Sequence, residues 1–306
     1  MKWQRSIAES GFTAIRKYVS ILFRERIMQD DAPTKSSRAA NDYLMESEEE
    51  AIRLDVKTDP DALRRQALWC GLRPGMRVLD CCCGSGKTTS LLYDLIQPGG
   101  SIVGIDFSEQ RLSYAQEHYG GRNGIVFRPQ NLCETMDDLG KFDLIWVRFV
   151  LEYFKKEALD IVGNLKRCLK PGGTLCLIDL DYNCLTHYDV PAQLAAALFA
   201  IMDSLCKQNN FDIFIGRKLY SFLYDNGFQN IEVELMAHNL LYGNIRDRDK
   251  YNWTKKMEMA AKISKAVIDG YPGGSEQFYA DVDRFISDPR RFSYTPLLLC
   301  KGSVPG

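Results

Sequence analysis

Between residues 76 and 181, short apolar runs alternate with helix-like stretches, and this alternation narrows the fold more than any other feature. The runs are MRVLDCC, GSIVGIDFS, GIVFRPQNL, FDLIWVRFVL and TLCLIDLD. Strands that are apolar on both faces belong in a parallel sheet with helices on each side. GSGKTTSLLYDLI, EQRLSYAQEHYG and EALDIVGNLKRCLKPGG supply the connecting helices. The expectation is a doubly wound, Rossmann-like α/β fold. Downstream, GRKLYSFLYDNGF reads as a helix stopped by Gly227, QNIEVELMAHNL as a strand and YTPLLLCKG as the final strand. Two helical segments rich in aromatic residues, near 190–208 and 244–287, separate them. ESEEEAIRLDVKTDPDALRRQALWCGL reads as helical, and residues 1–28 have roughly helical apolar spacing with basic residues between. That arm is expected to pack on the main domain, form a lid, or lie as a basic amphipathic helix on a membrane surface.

With 306 residues, 45% apolar and 26% charged, the chain can build a substantial core and is not disordered throughout. A net charge of -1 leaves no chain-wide basic footprint for nucleic acid. No apolar run is long enough to span a bilayer. Ten cysteines without a secretory leader point to a reducing, cytoplasmic compartment.

RVLDCCCGSGKTTSLL, residues 77–92, decides the chemistry. Its Gly86-Lys87-Thr88 fits the end of a phosphate-binding loop, but the first glycine of that pattern falls on Cys81. Asp80 also sets a carboxylate where a triphosphate would lie. A P-loop NTPase is weakened and stays open, with Lys87 as the discriminating residue. In a doubly wound sheet the ligand lies at the glycine loop after the first strand, with an acid about twenty residues on for the ribose hydroxyls. Gly86 to Asp106 is 20 positions. Acids at two strand ends suit a ribose diol, an ammonium and a sulfonium better than a pyrophosphate. Adjacent thiols at an extended strand end do not converge readily on one tetrahedral ion, so no metal site is expected.

VLDCCCGSG resembles the first motif of the class I S-adenosylmethionine (SAM)-dependent methyltransferases, and VGIDFS their second. FRPQNL, FDLIWVRFVLEYF and LKPGGTLCLIDLD are similar to their following motifs, in order. GMRVLD, RFVLEY and IGRKLYSFLYDNGF resemble bacterial small-molecule members of the quinone-biosynthesis type. The resemblance covers roughly residues 43–237 and the final strand. It departs at Cys82, where the family has a glycine, so a third reading is a SAM-binding protein without catalysis.

The resemblance implies a seven-stranded sheet with an antiparallel last strand near 294–302, an N-terminal helical arm and a C-terminal helical cap. The divisions expected are 1–42 arm and linker, 43–185 core, 186–214 cap segment, 215–240 core helix and strand, 241–290 cap insertion, and 291–306 final strand and tail. It implies SAM as cofactor, bound by Asp80, Cys81, Cys82, Gly84, Gly86, Asp106, Phe107, Arg111, Asn131, Leu132, Val147 and Arg148. Asp80 would meet the methionine ammonium, Asp106 the ribose, and Phe107, Asn131 and Leu132 the adenine. Tyr43 and Arg53 would close over it. Thr88 and Thr89 read as capping or helix-turn residues. The acceptor would be a small molecule, of aromatic or apolar character from the cap composition, and a homodimer is compatible. DLDYNCLTHYD follows the fifth strand, where substrate commonly sits in this family, so Asp181, His187 and Tyr188 are the candidate catalytic residues, with Tyr182 beside them. His187 is the candidate general base.

Overall fold

The computed structural model describes residues 50–306. The amphipathic arm, its linker and Tyr43 lie outside the described residues. The stretch expected to be one helix is two, α1 (Glu50–Lys57) and α2 (Pro60–Trp69). The break is local chemistry. Pro60 opens α2, and Asp59 caps it by accepting from the N–H groups of Asp61 and Ala62.

Five strands run parallel: β1 (Arg77–Cys81), β2 (Ser101–Asp106), β3 (Ile125–Pro129), β4 (Phe142–Arg148) and β5 (Leu169–Leu180). Helices α3 (Lys87–Leu95), α4 (Glu109–Tyr119) and α5 (Ala158–Arg167) lie between them. The chain continues through β6 (His187–Tyr188), α6 (Ala192–Gln208), α7 (Leu219–Asp225), β7 (Gln229–Leu241), α8 (Asp247–Ile263), α9 (Lys265–Asp269), α10 (Gly274–Ser287) and β8 (Phe292–Ser303). The sheet order is β3-β2-β1-β4-β5-β8-β6, with β7 paired to β8. β8 is antiparallel to β5, β6 and β7.

Among the described residues the sheet therefore has eight strands rather than seven. The addition is the two-residue β6. At Ser293, β8 carries Leu241 of β7 on one flank and His187 of β6 on the other. β6 thus continues the line of β5 past its carboxyl end.

Side-chain alternation divides the core. Leu79, Ile145, Val147, Leu175 and Leu177 bury against α5 and α7. Val78, Ile102, Leu144, Trp146 and Cys176 bury on the opposite face against α2 and α3. A third core, built on Leu194, Ile201, Trp253, Phe278 and Phe285, belongs to the cap helices α6, α8 and α10. The ten cysteines are all free. Among the described residues no helix is long and apolar enough to cross a membrane.

Candidate functional site

The same alternation gathers the charged residues at the strand ends. Asp80 shares a face with Val78, Asp106 with Ile102 and Arg148 with Trp146. In register, Asp80 lies beside Gly104 and Trp146. Asp106 and Arg148 thus flank it two residues further along their strands. Both carboxylates are buried, with 2% exposure each.

The loop after β1 turns back on itself. Cys82, Gly84 and Gly86 have φ of 52°, 56° and 82°, so every second residue is left-handed. Such alternation faces successive N–H groups inward, a concavity for negative charge. Its occupant is internal. Gly84 N–H donates to Asp106 Oδ2 at 2.9 Å, while Asp106 Oδ1 accepts from Ser108 N–H at 3.0 Å and Arg111 Nη2 at 2.9 Å. Gly86 cannot be replaced without rebuilding. A Cβ there would lie 2.8 Å from Ala115 Cβ and 2.9 Å from the Phe127 ring. Over Gly84 sits Leu54 of α1, and Asp55 of the same helix accepts from the Tyr119 hydroxyl at 2.6 Å. α1 therefore lies across the loop, and it also packs on α8 of the cap.

This geometry bears on the phosphate-loop reading. The inward N–H is bonded to a carboxylate, with a second carboxylate behind it. Lys87 Nζ lies 5.8 Å from the Tyr119 ring centroid. A polyphosphate would meet two acids, while a cation or a diol meets acceptors.

Burial pushes the Asp80 carboxyl up to about 7, against the Thr89 hydroxyl bond and the Arg148 charge, with Asp106 pushing the same way. Thr89 does more than turn a helix. Its Oγ1 donates to Asp80 Oδ2 at 2.6 Å. Burial likewise raises the Cys81, Cys82 and Cys83 thiols well above the ordinary thiol range. These are apolar fillers here, not nucleophiles. Cys82 adopts the left-handed turn that the family gives to glycine, a conformation open to other residues at a modest cost.

The remaining expected cofactor residues are placed as follows. The Arg111 guanidinium lies 5.0 Å from the Phe107 ring centroid, so Phe107 stacks on the partner of Asp106. Asn131 Oδ1 accepts from Cys133 N–H at 3.0 Å, which shapes the turn after β3, with Leu132 buried beside it. Val147 is buried on the face opposite Asp80. Arg148 Nε donates to Gln66 Oε1 of α2 at 2.9 Å.

The candidate catalytic residues are not brought together. Asp181 is clamped by Arg217, whose Nε and Nη2 reach its two oxygens at 2.9 Å each. His187 stands past the end of β5, since Leu180 pairs with Leu297 but His187 with Ser293, four residues on. That lifts it about 13 Å beyond the strand, into the cap. Its Nε2 meets the Cys184 carbonyl at 2.8 Å and its Nδ1 the Ser293 hydroxyl at 2.9 Å. A carbonyl only accepts, so Nε2 carries the proton and Nδ1 receives the hydroxyl. Burial lowers the His187 pKa. Tyr188 is exposed.

One buried pair escapes sequence reasoning. Asp179 accepts from the N–H groups of Val150, Glu152 and Leu180, and the Asn183 amide donates to Glu152 Oε2 at 3.1 Å. Burial, then the Glu152 charge, pushes the Asp179 carboxyl well above the usual range. Acids one turn past β4 and near the end of β5 gave only an acidic strand end as a signal.

A family model described as a methyltransferase domain matches residues 72–258. The demethylmenaquinone methyltransferase of Lactococcus lactis is 30% identical over 116 residues, 37% of this chain and 46% of that protein. That of Staphylococcus aureus is 32% identical over 108 residues, 35% of this chain and 44% of that one. The chain thus spans less than half the length of these relatives. Among solved structures, Haemonchus contortus phosphoethanolamine N-methyltransferase 2, in complex with S-adenosyl-L-methionine, superposes at a TM-score of 0.54 and 16% identity, over 90% of this chain and 62% of that one. The YcgJ protein of Bacillus subtilis superposes at 0.52 and 15% identity, over 81% of this chain and all of that one. These two likenesses establish the fold, and the family match covers more than half of the chain. By sheet, loop and family match together, this chain belongs to the class I SAM-dependent methyltransferases.

Proposed function

We propose that the chain transfers a methyl group from S-adenosylmethionine to a small-molecule acceptor by in-line displacement. The observation that carries this reading is the pair of buried acids, Asp80 and Asp106, set on one face at the ends of neighbouring strands around an inward-turned glycine loop. The residues fit the cofactor. Asp106 has three donors on its two oxygens and keeps acceptor capacity for a ribose hydroxyl. Asp80 is a buried acid held partly protonated, which an ammonium group would stabilise as the carboxylate. When bound, the cofactor supplies a methyl group on a positively charged sulfur.

The chain's own part is alignment and exclusion of water. α1 and the cap lie over the carboxyl ends of the strands and close the site. An acceptor oxygen or nitrogen would lose its proton to His187 once the Ser293 hydroxyl turns aside. An aromatic or apolar acceptor is supported by Trp253, Met257 and Phe285 around the cap cavity. Free thiols throughout support a reducing, cytoplasmic setting. Val233 and Leu235, exposed on β7, support a homodimer, which sedimentation velocity would check.

Calorimetric titration with S-adenosylmethionine, S-adenosylhomocysteine and Mg-ATP tests the reading. Binding of the first two, lost in Asp106→Ala, is the expected result. Binding of Mg-ATP alone would overturn it.

A further inference from the structure

The cap helices bound a narrow apolar pocket lined by Leu198, Leu241, Trp253, Met257 and Phe285, with Arg291 at its wall. Arg291 is 2% exposed. Its Nη1 donates to the carbonyls of Gly243 at 2.8 Å and Asp288 at 3.0 Å. Its Nε and Nη2 are buried and have no hydrogen-bond partner among the described residues. The neighbouring carboxylates are committed elsewhere. Asp288 is bonded by Arg290, and Asp249 by Arg246. His187, on the same wall, is held by Ser293 and Cys184 and brings no competing charge.

Those two orphaned atoms form one edge of the guanidinium, the edge that matches the two oxygens of a carboxylate. Two other arginines among the described residues use that edge in just this way. Nε and Nη2 of Arg217 grip Asp181, and Nε and Nη2 of Arg290 grip Asp288. Arg291 presents the same fork to an apolar cavity. A buried, half-satisfied cation is costly, and a fold retains one where something completes it. A second, polar cavity lies alongside, sharing Leu241 and Trp253 and lined by Arg53 of α1. Through Leu54 the same helix touches the cofactor loop at Gly84. The cap cavity thus adjoins the covering of the methyl-donor site.

We infer that the cap cavity is a binding site for a small apolar or aromatic carboxylic acid, whose carboxylate seats on Nε and Nη2 of Arg291 while its hydrocarbon part packs on Trp253, Met257 and Phe285. As the acceptor class this rests on the proposed methyl transfer; as a binding site it stands alone. The free space beside the guanidinium holds little more than a water, so binding of such an acid requires α8 and α10 to part.

The test uses 2-naphthoate and 2-naphthamide, which share rings and shape but differ in charge. Calorimetric titration of the full chain should show saturable binding of 2-naphthoate, on the order of tenfold or more tighter than the amide. Arg291→Met should abolish that preference. Because it also loses two carbonyl contacts, Met257→Trp serves as a second variant: it keeps those contacts, fills the cavity and should block both probes. Equal affinity for the two probes, binding of neither, or a preference that survives Arg291→Met would overturn the inference and leave Arg291 completed by buried water. S-adenosylmethionine titrated into the same samples separates the two ideas. Its binding without a carboxylate preference sinks only this inference, and a carboxylate preference without its binding sinks only the methyl-transfer reading.

Discussion

Thr89 donates its hydroxyl to Oδ2 of Asp80 across 2.6 Å, which ties the first turn of α3 to the strand that precedes the loop. The bond is buried and charge-assisted whenever Asp80 is ionised, so it belongs to the stronger class of hydrogen bonds. Thr89→Val should cost about 2 kcal/mol of folding stability. Thr89→Ser should cost less than half of that. Urea denaturation of the two variants reads the difference, and a larger loss in Thr89→Ser than in Thr89→Val would mean that methyl packing, not the hydroxyl bond, dominates.

Asp80 also sets a pH dependence. In the folded chain burial holds its carboxyl at about 7, against 3.8 for the unfolded group. Between those values the folded state carries the extra proton, so stability contributed by this group falls as pH rises from about 4 to about 7. A cationic ligand prefers the carboxylate. S-adenosylmethionine should therefore bind more tightly above pH 7, with Kd weakening by up to about tenfold per unit below it. Calorimetry at pH 6 and pH 8 checks this, and Asp80→Asn should flatten the profile.

Left-handed positions in the loop should respond differently to substitution. Gly86→Ala combines a φ of 82° with a contact of 2.8 Å to Ala115, and should cost about 3 kcal/mol. Cys82→Gly should change stability by no more than about 1 kcal/mol, since relief of strain is offset by a freer unfolded chain. A β-branched Val at 82 should cost about 2 kcal/mol. Thermal denaturation ranks the three.

Asp179 is buried beside the charge of Glu152. Burial, and then that charge, push the folded Asp179 carboxyl above its unfolded value, so the stability this group contributes falls as pH rises towards neutrality. Glu152→Gln removes the second cause of the shift. Chemical denaturation at pH 5.5 and 8 should show a shallower loss in this variant than in the wild-type chain. An unchanged slope would mean that burial alone sets the behaviour of Asp179.

The core was legible because its signals are local. Val78, Leu79 and Asp80 read directly as a buried strand ending on an acid, and Gly84 and Gly86 as a turn. The break at Asp59-Pro60 was equally local, yet the Leu and Ala spacing across it masked two helices as one. Thr89 looked like a helix-turn residue because its partner lies nine positions back, across a loop whose path no pattern reveals. Asp181 and His187 were singled out by their place after β5. Their partners, Arg217 and Ser293, come from segments 36 and 106 residues later. Arg291 carried no sequence signal at all. A basic residue beside Asp288 reads as solvated, and only the packing of the cap helices on β8 turns it inward.

β8 has a consequence for the order of assembly. It is the last strand in the chain, yet it lies between β5 and β7, and among the described residues it is the sole sheet partner of β7 and β6. During synthesis β1 to β5 can pair as they emerge, each with a neighbour already made. β7 must wait with its backbone unpaired while all of α8, α9 and α10 are added. The cap that rests on Leu241 and Ser293 waits with it. Closure of that long loop makes the final pairing slow relative to the local elements. Any mutation that weakens β8 therefore acts on a half-built molecule with an open sheet edge, where loss of protein to aggregation would precede any visible loss of activity.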